Sequence, residues 1–296
     1  MTQSPIDLIS CVAETAEGFM ALDWFEPFNL GTEAAISALL PVAIPAASEP
    51  DSMLPKGVYA RHAMALPGDA PRGRVLQWPF PRCGIAFAIG VEAGRNSMIG
   101  MWPFFADGVE HEFMLERIET SPERLRGILI GAVGEMSVSF FATRYIEERP
   151  LYAADRQFNV VLSALALDLD VTPLAPLRID ARSLPYDAEM VFGREHMDPD
   201  GMVTIQTDGI AAFLSVPELP MGFYSLAGTV RDVSPYPEML GVKVWRLRVT
   251  AARLAGGDFD LDLFVTSVTL GGQPVPVAGQ SLTATAWLQG YISSIE

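Results

Sequence analysis

The stretch "DFDLDLFVTSVTLGGQPVPVAGQSLTATAWLQGYI" (258–292) decides the fold. Asp258, Asp260 and Asp262 alternate with Phe259, Leu261 and Leu263, the two-residue period of a strand with two unlike faces. A loop rich in Gly and Pro follows, then a second alternating run. In that run Leu282, Ala284, Ala286, Leu288 and Ile292 share one face, and Thr283, Thr285, Trp287, Gln289 and Tyr291 share the other. Alternation therefore assigns Leu288 to the core and sends Trp287 against a neighbouring element, either the N-terminal segment or another β-barrel of the chain.

Upstream, the same reading gives strands over 202–206, 210–216, 223–233 and 241–254, all rich in β-branched and aromatic residues. Asp208-Gly209 and Gly256-Gly257 suit hairpin turns. Gly228, inside a strand, marks a bulge or sharp bend.

Five segments in 105–196 resemble five in 206–292 in the same order. They pair 105–115 with 206–216, 126–133 with 224–233, 138–146 with 242–250, 155–167 with 256–270, and 186–196 with 282–292. The shared order predicts a tandem duplication. It divides the chain into a lead-in (1–56), a first module (57–197) and a second module (198–296), with the boundary at the turn in "HMDPDGM" (196–202). About a hundred residues of short antiparallel strands close as a small barrel or pack as a sandwich. The expected fold is thus mainly β: two tandem small antiparallel barrels with a short helical N-terminal segment.

The ending "PVPVAGQSLTATAWLQGYI" (274–292) resembles the last strand of OB-like small barrels. Its final "WLQGYI" resembles the close of some uncharacterised bacterial proteins. The resemblance covers about the last seventy residues and implies a small closed barrel with no established activity.

The lead-in differs. Residues 7–22 and 31–44 read as short helices, the second capped by Thr32 and stopped by Pro41 and Pro45. Between them "DWFEPFNL" (23–30) is an aromatic connector. Exposing Trp24, Phe25 and Phe28 is costly, so it is expected to dock on the body.

The 296-residue chain is half hydrophobic and 19% charged, as a folded protein is, with a formal net charge of −16. Its first 55 residues hold eight acidic side chains and no Lys or Arg. That balance opposes nucleic-acid phosphates and anionic lipid, and the short basic groups at Arg72, Arg74 and Arg82 or at Arg124 and Arg126 do not offset it. No apolar run is long enough to cross a membrane, and the start lacks a secretory pattern. Cys11 and Cys83 form neither a disulfide framework nor a metal motif. A cytoplasmic protein without a cofactor is expected; self-association is left open.

Four groups are candidate sites. Asp258, Asp260 and Asp262 offer oxygens to a hard cation, but same-face neighbours lie about 7 Å apart, and the strip reads better as the solvated side of a sheet. Glu195, His196, Asp198 and Asp200 resemble the start of a calcium loop whose later acidic positions are missing, so a polar turn is the better reading. His111, between Glu110 and Glu112, is either an acid–base group or an exposed histidine on a charged strand.

Trp-Pro-Phe occurs twice, in "QWPFPRCG" (77–84) and "MWPFFADG" (101–108). If the two segments pair, Trp78, Phe80, Trp102, Phe104 and Phe105 form one aromatic group, either a pocket or a contact surface, or else a core. These residues are the expected ligand- or partner-binding site. No nucleophile motif or Gly-rich phosphate loop is present. The functional expectation is therefore a non-enzymatic protein that binds a protein partner or a small apolar ligand. The alternative is a hydrolase using Glu110, Glu112 or the Asp258–Asp262 strip.

Overall fold

The computed structural model describes residues 22–49, 72–79, 81–92, 95–152, 156–171, 176–183, 198, 200–205, 207 and 209–295. Of these, 61% are strand and 12% helix, so the protein is mainly β with a short helical segment. No described helix is long and apolar enough to cross a membrane.

A 3-10 helix (Leu22–Phe28) leads into α1 (Glu33–Ala46). The first expected helix, 7–22, lies almost wholly outside the described residues. Thr32 caps α1, its hydroxyl accepting from Ala35 N at 3.3 Å. The helix runs through Pro41 and Pro45 rather than stopping there. It buries Ile36, Leu40 and Ala43, and that packing offsets the backbone bonds the prolines remove. The aromatic connector is docked, with Trp24, Phe25 and Phe28 buried.

Three strands, β1 (Arg72–Pro79), β2 (Cys83–Glu92) and β3 (Arg95–Phe105), form a meander of their own. The first half then continues with β4 (Val109–Thr120), β5 (Gly127–Val133), β6 (Met136–Ala142), the single turn α2 (Tyr145–Glu148) and β7 (Arg156–Asp170). A small hairpin, β8 (Leu177–Asp180) with β9 (Met202–Ile205), stands apart. Five strands complete the chain: β10 (Ala212–Ser215), β11 (Phe223–Met239), β12 (Val242–Leu254), β13 (Gly257–Thr266) and β14 (Ser281–Ile295).

Two independent modules would keep their strands in separate sheets. Here strands from both sides of residue 198 share one nine-stranded sheet, in the order β10-β11-β12-β13-β7-β14-β6-β5-β4, with β11–β14 and β7–β4 also paired. These pairings trace two closed circuits of five strands. One is β4-β5-β6-β14-β7 and the other is β11-β12-β13-β7-β14. Both contain the antiparallel β7–β14 ladder. Each circuit closes through one parallel contact: β14 with β6 at Gln289–Phe141, and β13 with β7 at Asp262–Ser163. The expected boundary between modules therefore separates no sheet. It falls at a turn, where Gly201 N donates to the Asp198 carbonyl at 2.9 Å.

The sheet is buried on both faces near its centre. Inside the circuits, Phe113, Phe140, Leu162, Leu226, Leu261, Leu263 and Leu288 belong to one continuous apolar core. Outside, β1–β3, α1 and the 3-10 helix cover Phe141, Leu165, Phe264 and Trp287 to make a second core. Leu288 and Trp287 divide as alternation assigned them: Leu288 points inward, while Trp287 stacks on Trp24 with ring centroids 4.4 Å apart.

Gly228 sits where β11 passes from β14 to β12, and a Cβ there would lie 2.5 Å from the Thr250 carbonyl oxygen. Close backbone approach accounts for this glycine.

Leu288→Ala is expected to destabilise the protein by about 2–5 kcal/mol through a cavity in the inner core. Val277→Ala, at an exposed loop position, is expected to change stability by less than about 0.5 kcal/mol. Urea unfolding of the two variants checks the difference. Equal midpoints would put Leu288 outside the core.

Candidate functional site

The two Trp-Pro-Phe segments do not pair with each other, because β2 lies between them. Trp78 is opposite Ile85, and Ile85 is opposite Pro103. Trp102, Phe104 and Phe105 are each only 2% exposed. Trp102 meets Phe141 edge-on at 5.0 Å, and Phe105 stacks on Phe264 at 4.0 Å. Trp78 is partly buried against the same outer core. These four side chains join the meander to the large sheet. Phe80 lies outside the described residues.

The aspartate strip becomes progressively more buried along β13. Asp258 is exposed and accepts from Arg231 Nη2 at 2.7 Å. Asp260 accepts from the Thr250 hydroxyl at 2.6 Å. Asp262 is fully buried and receives Arg248 through Nε at 2.6 Å and Nη2 at 3.2 Å. The strip is thus solvated only at its start, which corrects the expectation for Asp262. Beyond it the same face continues to Phe264, which the outer layer covers. Among the described residues no group of three or more His, Cys, Asp or Glu is arranged to hold a metal ion.

In the turn at 198–201, Arg178 Nη2 reaches Asp198 at 2.7 Å and Asp200 at 3.3 Å. Glu195 and His196 lie outside the described residues.

A cleft of about 330 Å³ opens where the β5–β6 turn meets the β12–β13 turn beside β4. It is lined by His111, Glu112, Glu135, Asp258 and Phe259, with Gly134, Gly256 and Gly257 shaping its rim. Three of the residues singled out in the sequence, His111, Glu112 and Asp258, therefore come together. Glu110 is not in the lining; its Oε2 accepts from the Ser293 hydroxyl at 2.7 Å.

The cleft side chains are held in place. Glu112 Oε2 accepts from Gln157 Nε2 at 3.3 Å, and Glu135 Oε1 accepts from Ala255 N at 2.9 Å. The second of these bonds ties one turn to the other. Glu135 had no signal in the sequence, since a glutamate in a "GEM" turn is ordinary until its turn is placed against another.

His111 is not the exposed histidine that the charged strand suggested. It shares the inward face of β4 with Phe113 and Leu115 and lies 4.6 Å from the Phe259 ring. Its Nε2 is 2.9 Å from the Asp260 carbonyl oxygen. A carbonyl only accepts, so Nε2 carries the proton and, in the neutral ring, Nδ1 holds a lone pair. Burial lowers the His111 pKa, and the Asp260 carbonyl opposes that shift. The cleft therefore combines a neutral imidazole, three carboxylates and an aromatic wall.

No protein-family model matches the chain, and no curated protein is significantly similar to it.

Arg248→Ala leaves Asp262 buried without its cation and is expected to cost on the order of 3 kcal/mol. Arg231→Ala, at a pair whose side chains are 49% and 41% exposed, is expected to cost under about 1 kcal/mol. Thermal unfolding measures both, and equal losses contradict the burial gradient. The His111 ring is expected to titrate below 6.5 by NMR. Its contribution to stability is present above that pH and is lost as pH falls from 6.5 through the folded value. A midpoint above 6.5 contradicts the burial of the ring.

Proposed function

We propose that this protein is a non-enzymatic binding or interaction protein, and that its site is the cleft between the β5–β6 and β12–β13 turns. One observation carries the reading: His111, Glu112, Glu135, Asp258 and Phe259 line a single concavity. A cleft rich in fixed acceptors suits a ligand that brings hydrogen-bond donors or positive charge. The small apolar ligand expected at the Trp-Pro-Phe aromatics fits less well, since Trp102, Phe104 and Phe105 are occupied as core. A protein segment or a donor-rich small molecule is the proposed partner, with nucleic acid and anionic membrane disfavoured by the net charge of −16. The proposed setting is the cytoplasm, where the buried Cys83 thiol stays reduced.

The scaffold is proposed to be two OB-like five-stranded barrels that arose by internal duplication and share a strand pair. The support is the pairing pattern. Exchanging β4, β5, β6 and β7 for β11, β12, β13 and β14 leaves the pairings within the two circuits unchanged, including the two parallel contacts, whereas the β10–β11 pairing has no counterpart at β4. This equivalence is one strand out of phase with the sequence matches, which set β5 against the start of β11. Alternation makes neighbouring strands alike, so similarity alone does not fix the phase.

A second reading, a carboxylate-dependent hydrolase, rests on His111. The ring, whose Nδ1 is free of a proton in the neutral form, lines the cleft with Glu112, Glu135 and Asp258, a set of groups suited to general-base work on a bound water.

Native mass spectrometry of the purified protein beside the Glu112→Gln/Glu135→Gln variant tests the first reading. A bound species on the parent that is lost from the variant is the expected result. The same species on both moves the site elsewhere. Hydrolysis of a generic activated ester that disappears in His111→Ala, with no bound species on the parent, supports the second reading instead.

A further inference from the structure

Strands β4 and β11 hold corresponding places in the two circuits, yet their edges are used differently. Each pairs first with a ladder strand, β4 with β7 from Val109 and β11 with β14 from Phe223. Each then passes to its hairpin partner, starting with Met114 opposite Ala132 and with Thr229 opposite Thr250. Counted back from Met114 and Thr229, Glu112 and Glu110 of β4 take the places of Ala227 and Ser225 of β11. In β11 those places carry a third strand. β10 runs antiparallel along them, with Ala212 opposite Ala227 and Leu214 opposite Ser225. Among the described residues, β4 is paired over 109–113 with β7 alone.

The direction of the backbone identifies the open groups. Met114 presents its carbonyl to β5, so close to Gly131 that a Cβ there would collide with it. Backbone groups alternate between the two edges of a strand, so the N–H and C=O of Glu112 and Glu110 face the same side as those of Met114. The same alternation runs through β11. Phe223 O accepts from Val216 N at 3.1 Å on the β10 side, and Gly222 O accepts from Leu288 N at 2.7 Å on the β14 side. Beside β4, β5 ends at Val133, and its line runs on into the cleft lined by His111, Glu112 and Glu135. The rim there has room, since a Cβ on Gly256 or Gly257 would meet nothing within 4 Å. Glu110 and Glu112 are themselves exposed, and an exposed edge is a template for another chain.

We propose that a partner protein adds an extended segment to β4 along Glu110–Glu112, as β10 adds to β11, and that this segment carries Lys or Arg at alternate positions. The proposal rests on the cleft being the site and names what enters it. Side chains directly opposite one another share a face, so residues opposite Glu110 and Glu112 lie beside their carboxylates. Those carboxylates hold neutral donors: Glu110 has the Ser293 hydroxyl and Glu112 the Gln157 amide, while Glu135 nearby has Ala255 N. Their charge is free to attract a cation. The intervening residue, opposite His111, points inward toward the Phe259 side of the cleft. A second copy of this chain fits poorly. Pairing β4 with itself sets glutamates against glutamates, in a protein whose net charge is −16.

Nitrogen-15 NMR of the full-length protein, titrated with a capped peptide of alternating lysine and threonine, tests the proposal. Charge sets the lysines opposite Glu110 and Glu112, and those lysines are then the residues whose N–H groups face β4. N-methylating the lysines is expected to weaken binding about tenfold or more, and N-methylating the threonines, whose N–H groups face away, by less than about threefold. The Glu110 and Glu112 amides are expected to exchange about tenfold or more slowly when the unmethylated peptide is saturating. No binding up to about 5 mM peptide overturns the proposal. So does unchanged exchange of the two amides on binding, or exchange in the free protein already as slow as in β7, which would mean that another part of the chain holds the edge. Equal binding of the two methylated peptides, with His111, Glu135 and Phe259 still shifting, overturns strand addition and leaves the cleft as the site. Shifts that avoid those three residues overturn both.

Discussion

The antiparallel ladder between β7 and β14 is the constraint on which the rest of the structure depends. Each strand is paired along both edges, and each changes its second partner midway. β7 pairs with β4 over 156–162 and with β13 over 163–165. β14 pairs with β11 over 281–287 and with β6 at 289–290. The changeovers coincide, because Ser163 lies opposite Gln289 in the ladder. Both residues are buried and polar, and Gln289 Oε1 uses the place to accept from Phe105 N at 3.2 Å, which ties the outer meander to the same point. A strand paired on both edges and packed on both faces leaves no backbone group to water, which is why "LSALAL" and "ATAWLQG" are almost without charge.

This arrangement positions the cleft. The β5–β6 and β12–β13 hairpins belong to different circuits, and the shared ladder brings their turns side by side. The bond between Glu135 and Ala255 N then fixes one against the other. His111 lies at the end of the inward face of β4, where the core gives way to the opening, so burial and access meet at one ring. The site is therefore a consequence of joining two circuits, and neither hairpin forms it alone.

Much of the fold was legible because alternation reports on faces. It gave the six strands of the second half, the inward Leu288 and the outward Trp287. Local chemistry gave the Thr32 cap and the docked Trp24 connector. What alternation does not report is whether a face is covered. Asp262 and Asp258 look alike in the sequence, yet one is buried against Arg248 and the other meets Arg231 in water. Nor does it report which strands pair over long separations, so the shared sheet and the separate β1–β3 meander were not visible. Large rings suit a core and a pocket equally well, so the Trp-Pro-Phe aromatics read as either until Trp102, Phe104 and Phe105 are seen buried. The open edge of β4 carried no signal in "VEHEFM", because the pairing of an edge is decided by distant strands, here β5 and β7.

Two strand circuits that share one ladder are expected to unfold as one unit. Native-state hydrogen exchange against denaturant tests it most directly, with amides followed separately in β4–β6, in β11–β13 and in the β7–β14 ladder. If the ladder holds both circuits, all three sets converge on one global opening energy and one denaturant slope. If β11–β13 stay protected while β4–β6 exchange in a smaller, separate opening, or the reverse, the circuits are independent modules and the account is wrong.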